Sequence, residues 1–347
     1  MPSVSVPDPN ALSLVEYFQY SNAPLVKEVT YSMIMAGIVV QDLPMITSNQ
    51  LVFPGSRIIG GLPAAQWKSA NSLPTIVKTN TKAFSEQTYQ ILEGAQSDRI
   101  YMKAANTIEP VLDTQVESMN KGIAFDLNDK FINNDHITGD KNCFVGLKYR
   151  VSTAGQAEFG NNAECLIDGG GLNLAVGGVS STNANTLMTL LQRGLNALDD
   201  KTGGDTVIYC NEVFMYLLEQ AVRYMGPAAG FSQTEDAFDR PVLKYKGAMI
   251  RDAGRKAPSA DGTQNTYVIS NVENANGTDT GNGNYTSIYM VKKGKKSFAM
   301  TQFEPLVPIG PERIPGTTIY QVTLQWVLGI WNPDTRAIVR IFGLKTS

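Results

Sequence analysis

Residues able to do chemistry are few in this chain and stand far apart. His136 is the single histidine. It sits in the polar turn Asn133–Asn134–Asp135–His136, so a Ser-His or Cys-His couple or a multi-histidine zinc site has at most one anchor. No zincin motif and no paired CxxC occurs, and His136 reads as a solvated loop residue. Cys143, Cys165 and Cys210 are scattered without motif spacing. They read as free, buried thiols of a reducing compartment. The run Asp168–Gly169–Gly170–Gly171–Leu172 has neither the lysine nor the following helix of a phosphate loop, and reads as a flexible connector. Asn276–Gly277–Thr278 and Asn284–Tyr285–Thr286 match the glycosylation pattern, but the first residues lack a basic start followed by an apolar run, so no secretory signal is expected. Lys292, Lys293, Lys295 and Lys296 flank Gly294 and suggest a hairpin tip whose cations keep a β edge soluble. The alternative for them is a contact with an acidic neighbour or nucleic acid. Trp67 beside Lys68 has the character of an interface anchor or, equally, of a local packing residue. No catalytic, cofactor-binding or metal-binding set emerges, and no enzyme is expected.

The elements that would position these residues belong to a mixed α+β chain. Its 347 residues are 43% apolar and 18% charged with net charge −3. That composition describes a globular protein of one large or two modest domains and excludes a disordered chain. It also lacks the basic excess of a dedicated nucleic-acid binder. Met33–Val40 is the longest aliphatic stretch and is too short to span a bilayer. Pro2, Pro7 and Pro9 predict an extended arm, followed by a short helix over residues 10–20. Residues 44–94 form a β-type excursion punctuated by Gly and Pro, with strand pieces at Leu51–Phe53, Arg57–Ile59, Thr75–Val77 and Thr88–Leu92. It carries too few aliphatic residues for a core of its own. Leu112, Val116, Met119, Ile123, Leu127 and Phe131 recur at spacings of three and four and predict a helix from Pro110 to Asn133. Gly122 within it suggests a close-packed neighbour. Further on, a helix over 186–198, a buried strand Thr206–Cys210 and an Asn211-capped helix ending at Gly226–Pro227 form an α/β unit. Residues 271–284 read as a surface loop. Tyr320, Val322, Leu324, Trp326 and Leu328 alternate with polar residues; Asn332–Pro333–Asp334 then turns the chain into a returning strand, Ala337–Phe342.

In order, these segments resemble the tailed-phage major capsid proteins with the Hong Kong 97-type fold. The resemblance rests on Arg57, Leu62–Pro63, Trp67, Lys68 and Asn71 in the excursion, with lysine at 68 where relatives often have arginine. The long helix running into Phe131–Ile132–Asn133–Asn134–Asp135 matches the family's spine helix, although Asn134 replaces a glycine; both residues tolerate left-handed backbone. Phe144–Val145–Gly146–Leu147, Tyr245–Ile250, Thr318–Gly329 and Arg336–Arg340 follow in family order. Colinearity over nearly the whole chain carries the resemblance, because no single motif is highly specific.

Such a resemblance implies an N-terminal arm (1–40), an extended β-hairpin loop (41–95), a peripheral domain with the spine helix (96–185 and 306–347) and an axial domain (186–305). It implies self-assembly, through pentamers and hexamers, into an icosahedral shell enclosing double-stranded DNA bound without sequence specificity. Scaffolding and portal proteins would be partners, no membrane would be involved, and the location would be the virion after assembly in a bacterial cytoplasm. Arg57, Trp67 and Lys68 are the expected inter-subunit contacts. The alternatives are an encapsulin-type compartment, which shares the fold, and a tail or decoration protein.

Overall fold

The computed structural model of the chain describes residues 41–60, 67–73, 76, 80–99, 111–175, 180–198, 204–225, 230–235, 241–258, 266–279, 281 and 283–346. The expected arm and first helix lie outside the described residues, as do Leu62–Pro63 and the Gly226–Pro227 stop.

The helical periodicity is realised as α1, Val111–Asn133. Val116, Ile123, Leu127 and Phe131 are buried, and Met119 packs half-buried beside them. Gly122 differs from expectation: it is exposed, and a Cβ there would meet nothing within 4 Å. Two short helices follow, α2 (Leu147–Val151) and α3 (Thr153–Phe159). Helix α4, Ser181–Ala197, begins well over a turn before the predicted start at residue 186. Its first turn is polar, and the Ser180 side chain caps it by accepting from the Asn183 N–H. Strand β5, Thr206–Cys210, is buried at every residue and leads into α5, Glu212–Met225. Asn211 caps α5 as predicted, its Oδ1 accepting from the Phe214 N–H at 2.8 Å.

Two sheets carry the rest. The first has the order β1 (Met45–Thr47), β10 (Ala299–Arg313), β11 (Ile319–Trp331), β3 (Asn80–Asp98) and β2 (Val52–Gly60). The second runs β4 (Leu166–Asn173), β12 (Ile338–Lys345), β9 (Tyr285–Lys292), β5, β8 (Ala248–Asp252), β7 (Pro241–Tyr245) and β6 (Phe231–Glu235). Helix α1 packs across β3 and β11. Val322, Leu324, Trp326 and Leu328 on β11 are buried and Tyr320 is half-buried, so the predicted apolar alternation does face the core.

Several readings change at this level. The terminal strands do not form a hairpin: β11 lies in the first sheet, and β12 pairs with β9 and β4 in the second. The glycine run is not a connector but part of edge strand β4. Gly170 and Gly171, with φ of 63° and 69°, bulge where the register with β12 shifts. The lysines do not decorate a hairpin tip. They sit where the chain leaves β9 in one sheet for β10 in the other, and of the four only Lys296 is exposed. Burial lowers the Lys293 ammonium below its usual range, while Asp42 and Asp205 oppose that shift. Ile76 lies in no strand. Asn134 does not use left-handed backbone: it is buried, and its side-chain amide donates to the carbonyls of Asp140 (3.0 Å) and Phe144 (2.8 Å). The 271–284 loop contains a fully buried anchor, Glu273, paired with Arg340 at 3.1 Å and Lys148 at 3.3 Å.

Of the two hairpin strands only β3 pairs with the body, while the start of the excursion, β1, pairs with β10. Residues 80–87 of β3 pair with β2, whereas residues 88–98 pair with β11. At about 3.3 Å per residue, β2 spans about 30 Å and β3 about 60 Å. Segment 41–95 is therefore not a loop throughout. Leu43 and Met45 are buried in the core, and Tyr89 and Ile91 pack against it.

Candidate functional site

The hairpin of β2 and the first half of β3 is the feature that departs most from a closed monomer, and its root is built from buried charge. Glu86 on β3 receives two hydrogen bonds from Arg150 on α2, at 2.7 and 2.9 Å. Arg150 is 1% exposed; its Nε donates to the Val145 carbonyl at 2.8 Å, and its guanidinium stacks 4.5 Å from the centre of the Phe159 ring. Such a bidentate pair is the form in which buried opposite charges hold geometry best. Arg57 on β2 lies 3.8 Å from Glu86, donates to the Asn332 carbonyl and stacks 4.2 Å over Phe84. Burial pulls its guanidinium down to about 10, and Glu86 offsets part of that, so it stays charged at neutral pH.

An aromatic wedge completes the root. The Trp331 ring, at the end of β11, lies 5.2 Å from Phe84 and 6.3 Å from Phe53. It comes so close to Gly55 that a Cβ there would stand 2.6 Å from it. Gly329 plays the same part where β3 passes from β2 to β11, since its Cβ would meet the Gln87 carbonyl at 2.6 Å. Both glycines are needed for close approach.

At the other end the apolar groups are bare. Trp67 is 98% exposed, Leu73 86% and Ile76 95%. Asn71 turns the chain with a φ of 67°, and the Lys68 ammonium donates to the Leu73 carbonyl. The three expected contact residues thus divide. Trp67 and Lys68 lie together at the exposed end, whereas Arg57 is 5% exposed and engaged within the chain at the root. Glu86, Arg150 and Trp331 escaped the sequence reading. The available signal was a charge on a strand (Glu86) and another inside the apolar turn Leu147–Val151 (Arg150).

Among the described residues, the sequence's chemical candidates stand apart from one another. His136 is half-exposed, with its Nε2 3.5 Å from a Glu158 carboxylate oxygen and its ring edge-on to Tyr149. Burial pushes the Cys143 and Cys165 thiols up to about 12 and raises the Cys210 thiol well above its ordinary range. Such thiols are protonated and unreactive at neutral pH. A cleft of about 880 Å³ lies between α1, α2 and the 266–281 loop. Its cations Arg340, Lys148 and Lys256 are paired in-chain, the last with Asp129 at 3.1 Å. Among the described residues no helix is long and apolar enough to cross a membrane.

No protein-family model and no curated protein sequence matches the chain. Solved structures do. The capsid of an empty GTA particle aligns over 88% of this chain and 89% of its own, at 11% identity and a TM-score of 0.55. The holo-SrpI encapsulin complex of Synechococcus elongatus PCC 7942 aligns over 99% and 98%, at 10% identity and 0.57. The capsid of Myoviridae phage XM1 aligns over 86% and 90%, at 9% identity and 0.50. The chain has the Hong Kong 97-type capsid fold.

Proposed function

We propose that this chain is the major capsid protein of a tailed phage, assembling through pentamers and hexamers into an icosahedral shell around double-stranded DNA. The observation that carries the reading is a folded body from which a hairpin projects with Trp67, Leu73 and Ile76 exposed at its end. A monomer has no use for such groups, and they mark contact surfaces. Repeated symmetric copies would cover them. The fold supports this reading, because the solved structures that align with the chain include capsids. The phage branch is preferred for the colinear pattern running from Arg57 through Trp67 and Asn71 to Arg340. In this role the protein turns over no substrate, resides in the virion after assembly in the host cytoplasm, and meets portal and scaffolding proteins. Trp67 and Lys68 are the inter-subunit contacts. Arg57 acts at the hairpin's root. The arm, peripheral and axial divisions follow the family plan, with the projecting hairpin narrowed to 52–87.

The encapsulin reading has its own support in the likeness to the Synechococcus complex over nearly the whole chain. Electron microscopy of particles isolated with their contents separates the two. Shells holding double-stranded DNA and a portal at one vertex are expected. Portal-free shells filled with protein would favour the encapsulin, and a purified protein that stays monomeric at assembly concentrations would reject both.

A further inference from the structure

The geometry points to Arg57, Glu86 and Arg150 as positioning residues that aim the hairpin, each strand of the ribbon being tethered to the body at its own point. The inference rests on the proposed shell role for its consequence, not for its geometry. A two-stranded ribbon held by one continuous strand is free to twist and bend about that strand. Here β3 is the continuous strand, and β2 begins only after the bends at 48–51 that lead from β1, without pairing to the body itself. The tether on β3 is Glu86, gripped by Arg150 through two parallel bonds at 2.7 and 2.9 Å. The tether on β2 is Arg57, which donates to the carbonyl of Asn332, the residue after Trp331 of the wedge. Two points and a wedge fix both the elevation of the ribbon and its rotation.

The body side of each tether is itself braced. Asn161 donates to the Arg150 carbonyl at 2.8 Å, and Asn332 donates to Asn161 at 3.4 Å. The two anchor points thus belong to one hydrogen-bonded unit. Burying two guanidinium groups and one carboxylate is a poor route to stability, because an apolar cluster of the same volume commonly does as well. What charge adds is direction, since a bidentate pair tolerates little rotation. In a closed shell the direction of the hairpin sets where its end meets the next copy, and hence the angle between neighbours.

Spin labels at Ser69→Cys on the hairpin and Ser118→Cys on the exposed face of α1 would read the hairpin's direction in unassembled protein by pulsed dipolar spectroscopy. A control without the new cysteines accounts for the native thiols. The parent should give one narrow distance distribution. Arg57→Met leaves the Glu86–Arg150 pair neutral and intact, and should broaden it. Arg57→Met/Glu86→Leu/Arg150→Met should at least double the width while unfolding remains cooperative. Arg57→Lys, which keeps the cation, should restore most of the sharpness. An unchanged width in the triple variant would overturn the inference; should that variant not fold, an unchanged width in Arg57→Met would do so. If the parent closes into shells of one size, Arg57→Met should give several sizes, and shells of unaltered uniform size would contradict the aiming role. A parent that forms no shells counts against the proposed function, while the spin-label widths still decide the tethers.

Discussion

Strand β5 and the hairpin end both answer the question of where apolar groups go, in opposite ways. Every residue of Thr206–Cys210 is buried, and its neighbours β8 and β9 are supplied by the same chain. Trp67, Leu73 and Ile76 are more than four-fifths exposed, with none of the described elements over them. Between the two regions stands the root of the hairpin, where charged groups replace apolar ones at equal depth. In the proposed shell, the contrast separates residues that make the body fold from residues that would make copies of it associate. Substitutions in the first set should change unfolding and spare assembly once folded; those in the second should do the reverse.

The largest effect is expected at the root. Arg150→Met removes one partner of a buried pair and leaves Glu86 with only the distant Arg57, which should lower stability by about 3–5 kcal/mol, read from the urea midpoint of the unassembled protein. A loss below 1 kcal/mol would place the root with the solvent-facing hairpin instead of the core. Next comes Leu127→Ala on the buried face of α1, where Leu127 is 2% exposed. A loss of about 2–5 kcal/mol is expected, and unchanged thermal unfolding would mean that α1 is not packed on β3 and β11. Asn211→Ala should cost about 1–2 kcal/mol, because the residue caps α5 and also donates to Thr286 at 2.9 Å. Circular-dichroism melts would show it, and no change would remove the cap from the account of the α/β unit. Smallest, and opposite in sign, Gly122→Ala should stabilise the monomer by up to about 1 kcal/mol, since the added methyl meets nothing. A destabilisation in differential scanning calorimetry would show that this face is covered after all.

Local pattern made the body legible. The spine helix, β5, the Asn211 cap and the alternating β11 all rest on periodicities of 3.6 or 2 that a run of residues displays by itself. What stayed hidden depends on register between distant segments. The pairing of β12 with β9 and β4, and not with β11, cannot be seen from Asn332–Pro333–Asp334, because a turn does not specify the sheet the chain enters next. Asn134 was read for its backbone tolerance, yet its buried amide joins the carbonyls that follow α1. The two halves of the candidate site divide along the same line. Trp67 and Lys68 stand out as a large aromatic and a cation in a stretch short of aliphatic residues. The root needs Arg57, Glu86, Arg150 and Asn332 from four elements, and no spacing rule brings them together.

Whether the hairpin end drives assembly and is dispensable for folding can be decided through the register of the ribbon. Gly60 pairs with Asn80, so residues 61–79 can be replaced by an Asn-Gly turn that closes the two strands where they already meet. The root, with Arg57, Glu86 and Trp331, stays intact. Sedimentation velocity and electron microscopy of this variant, beside the parent, are the measurement. Cooperative unfolding at the parent's temperature and only monomers or small oligomers, with no closed shells, are expected. Normal shells from the shortened chain would contradict the assembly role.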